Sequence, residues 1–142
     1  MGLIRATLAV LALGLTAFSA AAENRLPSGA LTIDRQVEPE ENISFPNERN
    51  IHPVPSDFRV ISYILMSSEA GERWAAVTFE NAANGQRVLN NNNVMALFAN
   101  GDRRQPLEFN RKFEANERYT LTLNFGQRKF PVLTVYTQAG AP

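Results

Sequence analysis

From Arg59 to Thr137 apolar and polar residues alternate in short runs, each ended by a cluster of turn-forming residues. Successive side chains of a strand point to opposite faces, so a period of two predicts strands with one buried face. "ERYTLTLNFG", residues 117–126, shows it best: Tyr119, Leu121, Leu123 and Phe125 point to a core, and Thr120, Thr122 and Asn124 to solvent. "RWAAVTFEN" likewise sets Ala75, Val77 and Phe79 against Trp74, Ala76 and Thr78. "RVISYILMSS" is nearly continuous in its hydrophobicity, which predicts a strand covered on both faces. "FPVLTVYT" divides into Phe130, Val132 and Tyr136 on one side and Leu133 and Val135 on the other. "QPLEFNRKF" predicts an edge strand held by Leu107 and Phe109, and "ALTIDRQVE" a short, half-buried first strand. Between "VMALFA" and "DRR" the Asn100-Gly101 pair predicts a hairpin with a type I′ turn, which needs positive φ at both central residues. No apolar period of 3.6 residues extends over helical length, and no repeat recurs at a fixed interval.

About seven short strands with frequent turn signals predict an all-β domain, an antiparallel β-sandwich. The succession "AVTFEN", "VLN", "VMALFANGD", "FEANERYTLTLNFG" and "FPVLTVYT" resembles the small immunoglobulin-like domains of many bacterial exported proteins, over residues 73–137. What the resemblance implies is a fold. That family hosts many functions and carries no catalytic motif to transfer, and this chain lacks the cysteine pair of antibody domains.

Two segments depart from the strand pattern. Residues 1–22 have one positive charge at Arg5, an apolar run from Ala6 to Phe18 and the small residues Ala20-Ala21-Ala22 before Glu23, the layout of a cleaved signal peptide. The apolar run is short of the roughly 20 residues that a membrane span needs. Without a cysteine there is no acceptor for a lipoprotein lipid either. The expected mature chain, residues 23–142, is a single domain, exported to the periplasm or secreted, with no remaining membrane span. Its lack of cysteine points to a bacterial host, because small eukaryotic secreted domains lean on disulfides. The second segment, residues 39–58, carries Pro39, Pro46, Pro53 and Pro55 and cannot be a helix or a central strand. With the first strand it forms an N-terminal region, residues 23–58, ahead of a sandwich core at 59–142.

Charge sharpens this division. Without Arg5 the chain holds 13 basic and 14 acidic residues, a balance that does not favour nucleic acid, whose binding needs a concentrated positive surface, and no nucleic-acid partner is expected. Residues 34–57 nevertheless hold Asp34, Glu38, Glu40, Glu41, Glu48 and Asp57 against Arg35 and Arg49. Residues 103–129 hold Arg103, Arg104, Arg111, Lys112, Arg118, Arg128 and Lys129 against Glu108, Glu114 and Glu117. The acidic arm either lies across the basic loops of its own domain or reaches out to a partner.

No catalytic set emerges. His52 is the one histidine and lies in the arm; Ser67 and Ser68 sit at a turn but outside any nucleophile motif. One histidine and no cysteine cannot close a zinc or copper site, and Met66 and Met95 lie in apolar strands as core filling. "NGDRR" and "EPEEN" lack the spacing of a calcium loop, Glu40 and Glu41 are solvated neighbours, and no glycine-rich phosphate loop is present. Asn42-Ile43-Ser44 is a glycosylation triplet that matters only in a eukaryotic host. The expectation is a protein that is not an enzyme and takes no cofactor or metal.

Binding by surface remains. Trp74 faces away from Val77 and Phe79, where it either forms a hot spot for protein or sugar or is covered by the other sheet or the arm. Arg103, Arg104, Arg111, Arg118 and Arg128 come from separate loops and present guanidinium forks suited to carboxylates and phosphates. The expected function is that of a protein-interaction or assembly module that binds another envelope protein; the alternative is a binding protein for an anionic glycan or peptidoglycan fragment.

Overall fold

The computed structural model describes residues 29–37, 45 and 51–140. Residues 1–22, read above as a signal peptide, and most of the acidic half of the arm lie outside them. Nine strands are formed among the described residues: β1 (Leu31–Val37), β2 (Phe58–Ser68), β3 (Glu72–Asn81), β4 (Arg87–Asn90), β5 (Met95–Phe98), β6 (Arg103–Arg104), β7 (Asn110–Phe113), β8 (Arg118–Gln127) and β9 (Val132–Tyr136). The two beyond the expected seven are the short β4 and β6, while β7 occupies only the end of the edge strand expected over "QPLEFNRKF". The strands pair antiparallel in three sheets, ordered β1-β2-β3-β8, β6-β5-β9 and β4-β7. One three-residue 3-10 turn, Asn91–Asn93, is the sole helical piece among the described residues.

One apolar cluster draws on all three sheets. The long sheet gives Tyr63, Leu65, Val77, Phe79, Leu123 and Phe125; β5 and β9 give Ala96, Phe98, Val132 and Val135; β4 and β7 give Leu89 and Phe113. Burying a side chain of this size contributes about 1.5–3 kcal/mol, so this shared core is the main reason the short strands hold. Phe113 meets Phe58 edge-on at 5.0 Å and Phe98 meets Phe125 at 6.5 Å, the geometry aromatic quadrupoles favour. Across the core the Tyr63 hydroxyl donates to Thr134 Oγ1 at 2.9 Å, giving a buried ring a polar outlet.

Several expectations are corrected. Ile33 is 63% exposed, because β1 is an edge strand whose register shifts between Ile33 and Arg35. β2 buries Tyr63 and Leu65, but Ile64 and Met66 on its other face are only half-buried. Tyr119 is 41% exposed at the start of β8, whereas Leu123 and Phe125 are buried as expected. Its ring is edge-on to Phe113 and lies under the Arg111 guanidinium, 3.8 Å from the ring centroid. In β9 the register shifts opposite Leu97 and Phe98, which turns Val132 and Val135 to the same buried side despite their odd spacing. The β5–β6 hairpin exists, but of its turn residues only Gly101 has positive φ, at 87°. Gly101 N–H donates to Phe98 O and Phe98 N–H to Asp102 O, a three-residue loop with glycine at the left-handed position instead of a type I′ turn.

The arm's described residues are docked on the domain. Pro53 is buried, Val54 N–H donates to Asn92 O at 2.8 Å, and Asn93 Nδ2 donates to Val54 O at 3.3 Å. Ser56 forms a parallel bridge with Ala139, and Asp57 pairs with Arg87 at 2.7 Å. At the other end Phe45 packs over Gly101, where an added Cβ would meet its ring at 3.3 Å.

Candidate functional site

A cleft of about 270 Å³ opens between the β5–β6 hairpin and the β8–β9 loop. The hairpin supplies Asn100, Asp102 and Arg104, the loop supplies Gln127, Arg128, Lys129 and Phe130, and Phe98 contributes from β5. Both walls are fixed by local chemistry. On the hairpin side Asn100 Oδ1 accepts from Asp102 N at 3.2 Å while Asn100 Nδ2 donates to Asp102 Oδ2 at 3.1 Å. Ala99 N–H donates to Pro131 O at 2.9 Å and ties the two walls together.

On the loop side Gly126 takes φ of 79°, a conformation costly for other residues, and its N–H donates to Asn124 Oδ1 at 2.7 Å. Arg73 then clamps the loop backbone, with Nε on Arg128 O at 3.0 Å, Nη2 on Lys129 O at 3.1 Å and Nη1 on Ser67 Oγ at 2.6 Å. The turn after β2 adds Gln127 Nε2 to Ala70 O at 3.1 Å and Arg128 N–H to Gly71 O at 3.0 Å. Arg73 lies in a register shift of β3, which escapes the alternation that picks out Trp74.

The cations in the cleft keep unused donors. Arg104 is exposed, and among the described residues its guanidinium has no hydrogen bond or ion pair. Arg128 uses Nε on Phe125 O at 3.4 Å and lies 5.7 Å from the Phe98 ring centroid, which leaves its two terminal nitrogens for a ligand. Lys129 Nζ sits 5.8 Å from the ring of Phe130, itself 40% exposed at the rim. Against three cations the lining holds one carboxylate, Asp102.

Of the arginines singled out by the sequence, Arg104 and Arg128 meet here and the others do not. Arg103 donates to the Tyr136 hydroxyl at 2.7 Å. Arg111 covers Tyr119. Arg118 pairs through Nε with Glu80 Oε2 at 2.5 Å, and Arg59 Nη2 pairs with Oε1 of the same carboxylate at 2.5 Å. These hydrogen bonds, first from Arg59 and then from Arg118, hold the Glu80 carboxyl below the usual glutamate range.

Trp74 is not a surface hot spot. It does lie outside the main cluster, in a row running from Ile33 through Met66 and Trp74 to Asn124, yet it is only 3% exposed. Its indole N–H is buried without an acceptor. His52 is exposed on the arm, while Ser67 is engaged by Asp34 and Arg73, and Ser68 Oγ accepts from Glu72 N. No group of three or more metal-ligating side chains gathers among the described residues, and none of their helices is long and apolar enough to cross a membrane. Comparison with family models, curated proteins and solved structures finds no match for this chain.

Proposed function

We propose that this chain is an exported, non-catalytic binding domain of immunoglobulin-like type that takes a carboxylate-bearing saccharide in the cleft between the β5–β6 and β8–β9 loops. The observation that carries this is the meeting of Arg104, Arg128 and Lys129 beside the exposed ring of Phe130. Guanidinium forks bind carboxylates bidentately. Gln127, whose Nε2 is held by Ala70 O, keeps its side-chain carbonyl for a hydroxyl, and Phe130 offers an apolar edge for a ring.

The magnitudes favour a polymer over a free small molecule. Exposed charge pairs contribute about 0–1 kcal/mol each, and with a ring contact of order 1 kcal/mol the total is at most about 4 kcal/mol, a Kd of about 1 mM or weaker. A repeating acidic chain raises such an affinity by about 10²–10⁴ where copies of the domain are held together, because the second binding event is then intramolecular. The test is binding of an oligogalacturonate against its uncharged methyl ester, with Arg104→Ala and Lys129→Ala variants. The expected result is binding of the acid alone, weakened by each variant and by salt.

A second reading, a module that docks on another envelope protein, is favoured by β1. Among the described residues β1 has a single neighbour, and Thr32 to Arg35 are exposed along it. An open edge of this kind accepts a partner's strand. Crosslinking from β1 in envelope extracts, set against the saccharide titration, separates the two. The docked residues of the arm withdraw support from the idea of an arm reaching outward.

A further inference from the structure

The chain contains two Asn-Gly dipeptides, Asn84-Gly85 in the β3–β4 loop and Asn100-Gly101 at the cleft. They have identical local chemistry and opposite surroundings. In such a pair the deprotonated backbone nitrogen of the glycine attacks the asparagine Cγ. The C–N bond to the side-chain nitrogen breaks, ammonia leaves, and a cyclic imide remains. Water then opens the imide at either carbonyl, giving aspartate or isoaspartate, and the balance is one amide and one water in, one carboxyl group and one ammonia out. The attack needs a glycine N–H that is not committed elsewhere and a side chain able to swing its Cγ toward it.

At Asn100 both conditions fail. Gly101 N–H is donated to Phe98 O at 2.9 Å, and both side-chain atoms of Asn100 are engaged with Asp102. At Asn84 both are met: the residue is exposed, and among the described residues neither its side chain nor the Gly85 N–H has a hydrogen-bond partner.

We propose that Asn84 is a site of spontaneous deamidation in the folded protein and that the fold shields Asn100. The conversion acts on a structural clamp. Gly85 O accepts from Nδ2 of Asn81, a fully buried residue, at 2.9 Å. Isoaspartate at position 84 lengthens the main chain by one carbon immediately before that carbonyl, so the clamp has to strain or open. The β3–β4 loop thus carries a slow chemical timer, while the turn that builds the cleft wall is protected.

The test is incubation of the purified protein in mildly alkaline buffer, folded and in urea, followed by peptide mapping with isoaspartate detection. Freeing Gly101 and Asn100 first requires several hydrogen bonds to open, so in the folded protein Asn84 should convert at least about tenfold faster than Asn100. In urea the two rates should become similar. Gly85→Ala, whose Cβ meets only the flexible end of Arg87 at 3.4 Å, should slow conversion at position 84 alone. Comparable rates at both sites in the folded protein would overturn the proposal. So would an Asn84 that survives in the folded protein but converts in urea.

Discussion

Asn81→Ala is the substitution whose cost is best defined by the geometry. Asn81 closes β3, is 0% exposed, and uses its whole amide: Nδ2 donates to Gly85 O and to Glu114 O, both at 2.9 Å, and Oδ1 accepts from Ala83 N at 3.0 Å. These bonds hold the β3–β4 loop and the turn after β7 against one another. Alanine removes all three and leaves their backbone partners to be resatisfied. A typical bond contributes about 0.5–1.5 kcal/mol, so the loss is about 3 kcal/mol, and more where water cannot reach the orphaned groups. In a domain of this size each kcal/mol moves Tm by about 4–8 °C, so Asn81→Ala should lower it by about 15 °C. Urea unfolding followed by circular dichroism should show the same loss as a lower midpoint at unchanged slope. Asn81→Asp keeps Oδ1 but sets a carboxylate against two carbonyl oxygens, and at neutral pH it should be at least as damaging. A loss for Asn81→Ala under about 1 kcal/mol would refute the clamp.

Three further outcomes follow from the same structure. Amide exchange at Val54 and Ser56 should be slow in the isolated protein, because their N–H groups are donated to Asn92 O and Gln138 O; rapid exchange at both would mean that the arm is undocked. Glu80 is held below the usual glutamate range, so its stabilisation is full above that range and is lost as the pH falls through the lowered folded value. The gap in urea midpoint between wild type and Glu80→Gln should therefore close in acid, and a gap of constant size would contradict the assignment. Trp74 is the single tryptophan, and at 3% exposure it should emit at short wavelength and resist quenching by iodide; water-like emission would show that it is uncovered.

Alternation places Val77, Phe79, Leu123 and Phe125 correctly, because a period of two leaves little freedom about which side faces the core. It fails where the period breaks. The register shift in β9 brings Val132 and Val135 to one side, and a bulge leaves no trace in a hydrophobic pattern. Asn-Gly announces a hairpin but not its loop length, so the turn type follows from the Phe98–Asp102 pairing, a tertiary fact. The run of asparagines from 90 to 93 reads as loop, yet Asn90 and Asn93 cap the 3-10 turn reciprocally and Asn93 then holds the arm at Val54. Of the cleft, the cationic residue types are visible in the sequence. Their meeting is not, since Arg104 and Arg128 are 24 positions apart and Arg73, which sets the loop, is farther still.

The central claim rests on whether the cleft recognises a carboxylate on a sugar ring. Calorimetric titration at low ionic strength with an oligogalacturonate, its methyl ester and a glutamate oligomer addresses it directly. The account predicts heat with the acidic saccharide, none with the ester, a weaker response to the peptide, and loss of the signal in an Arg104→Ala/Lys129→Ala variant that keeps wild-type Tm. Equal binding of acid and ester, or undiminished binding by that variant, would contradict it.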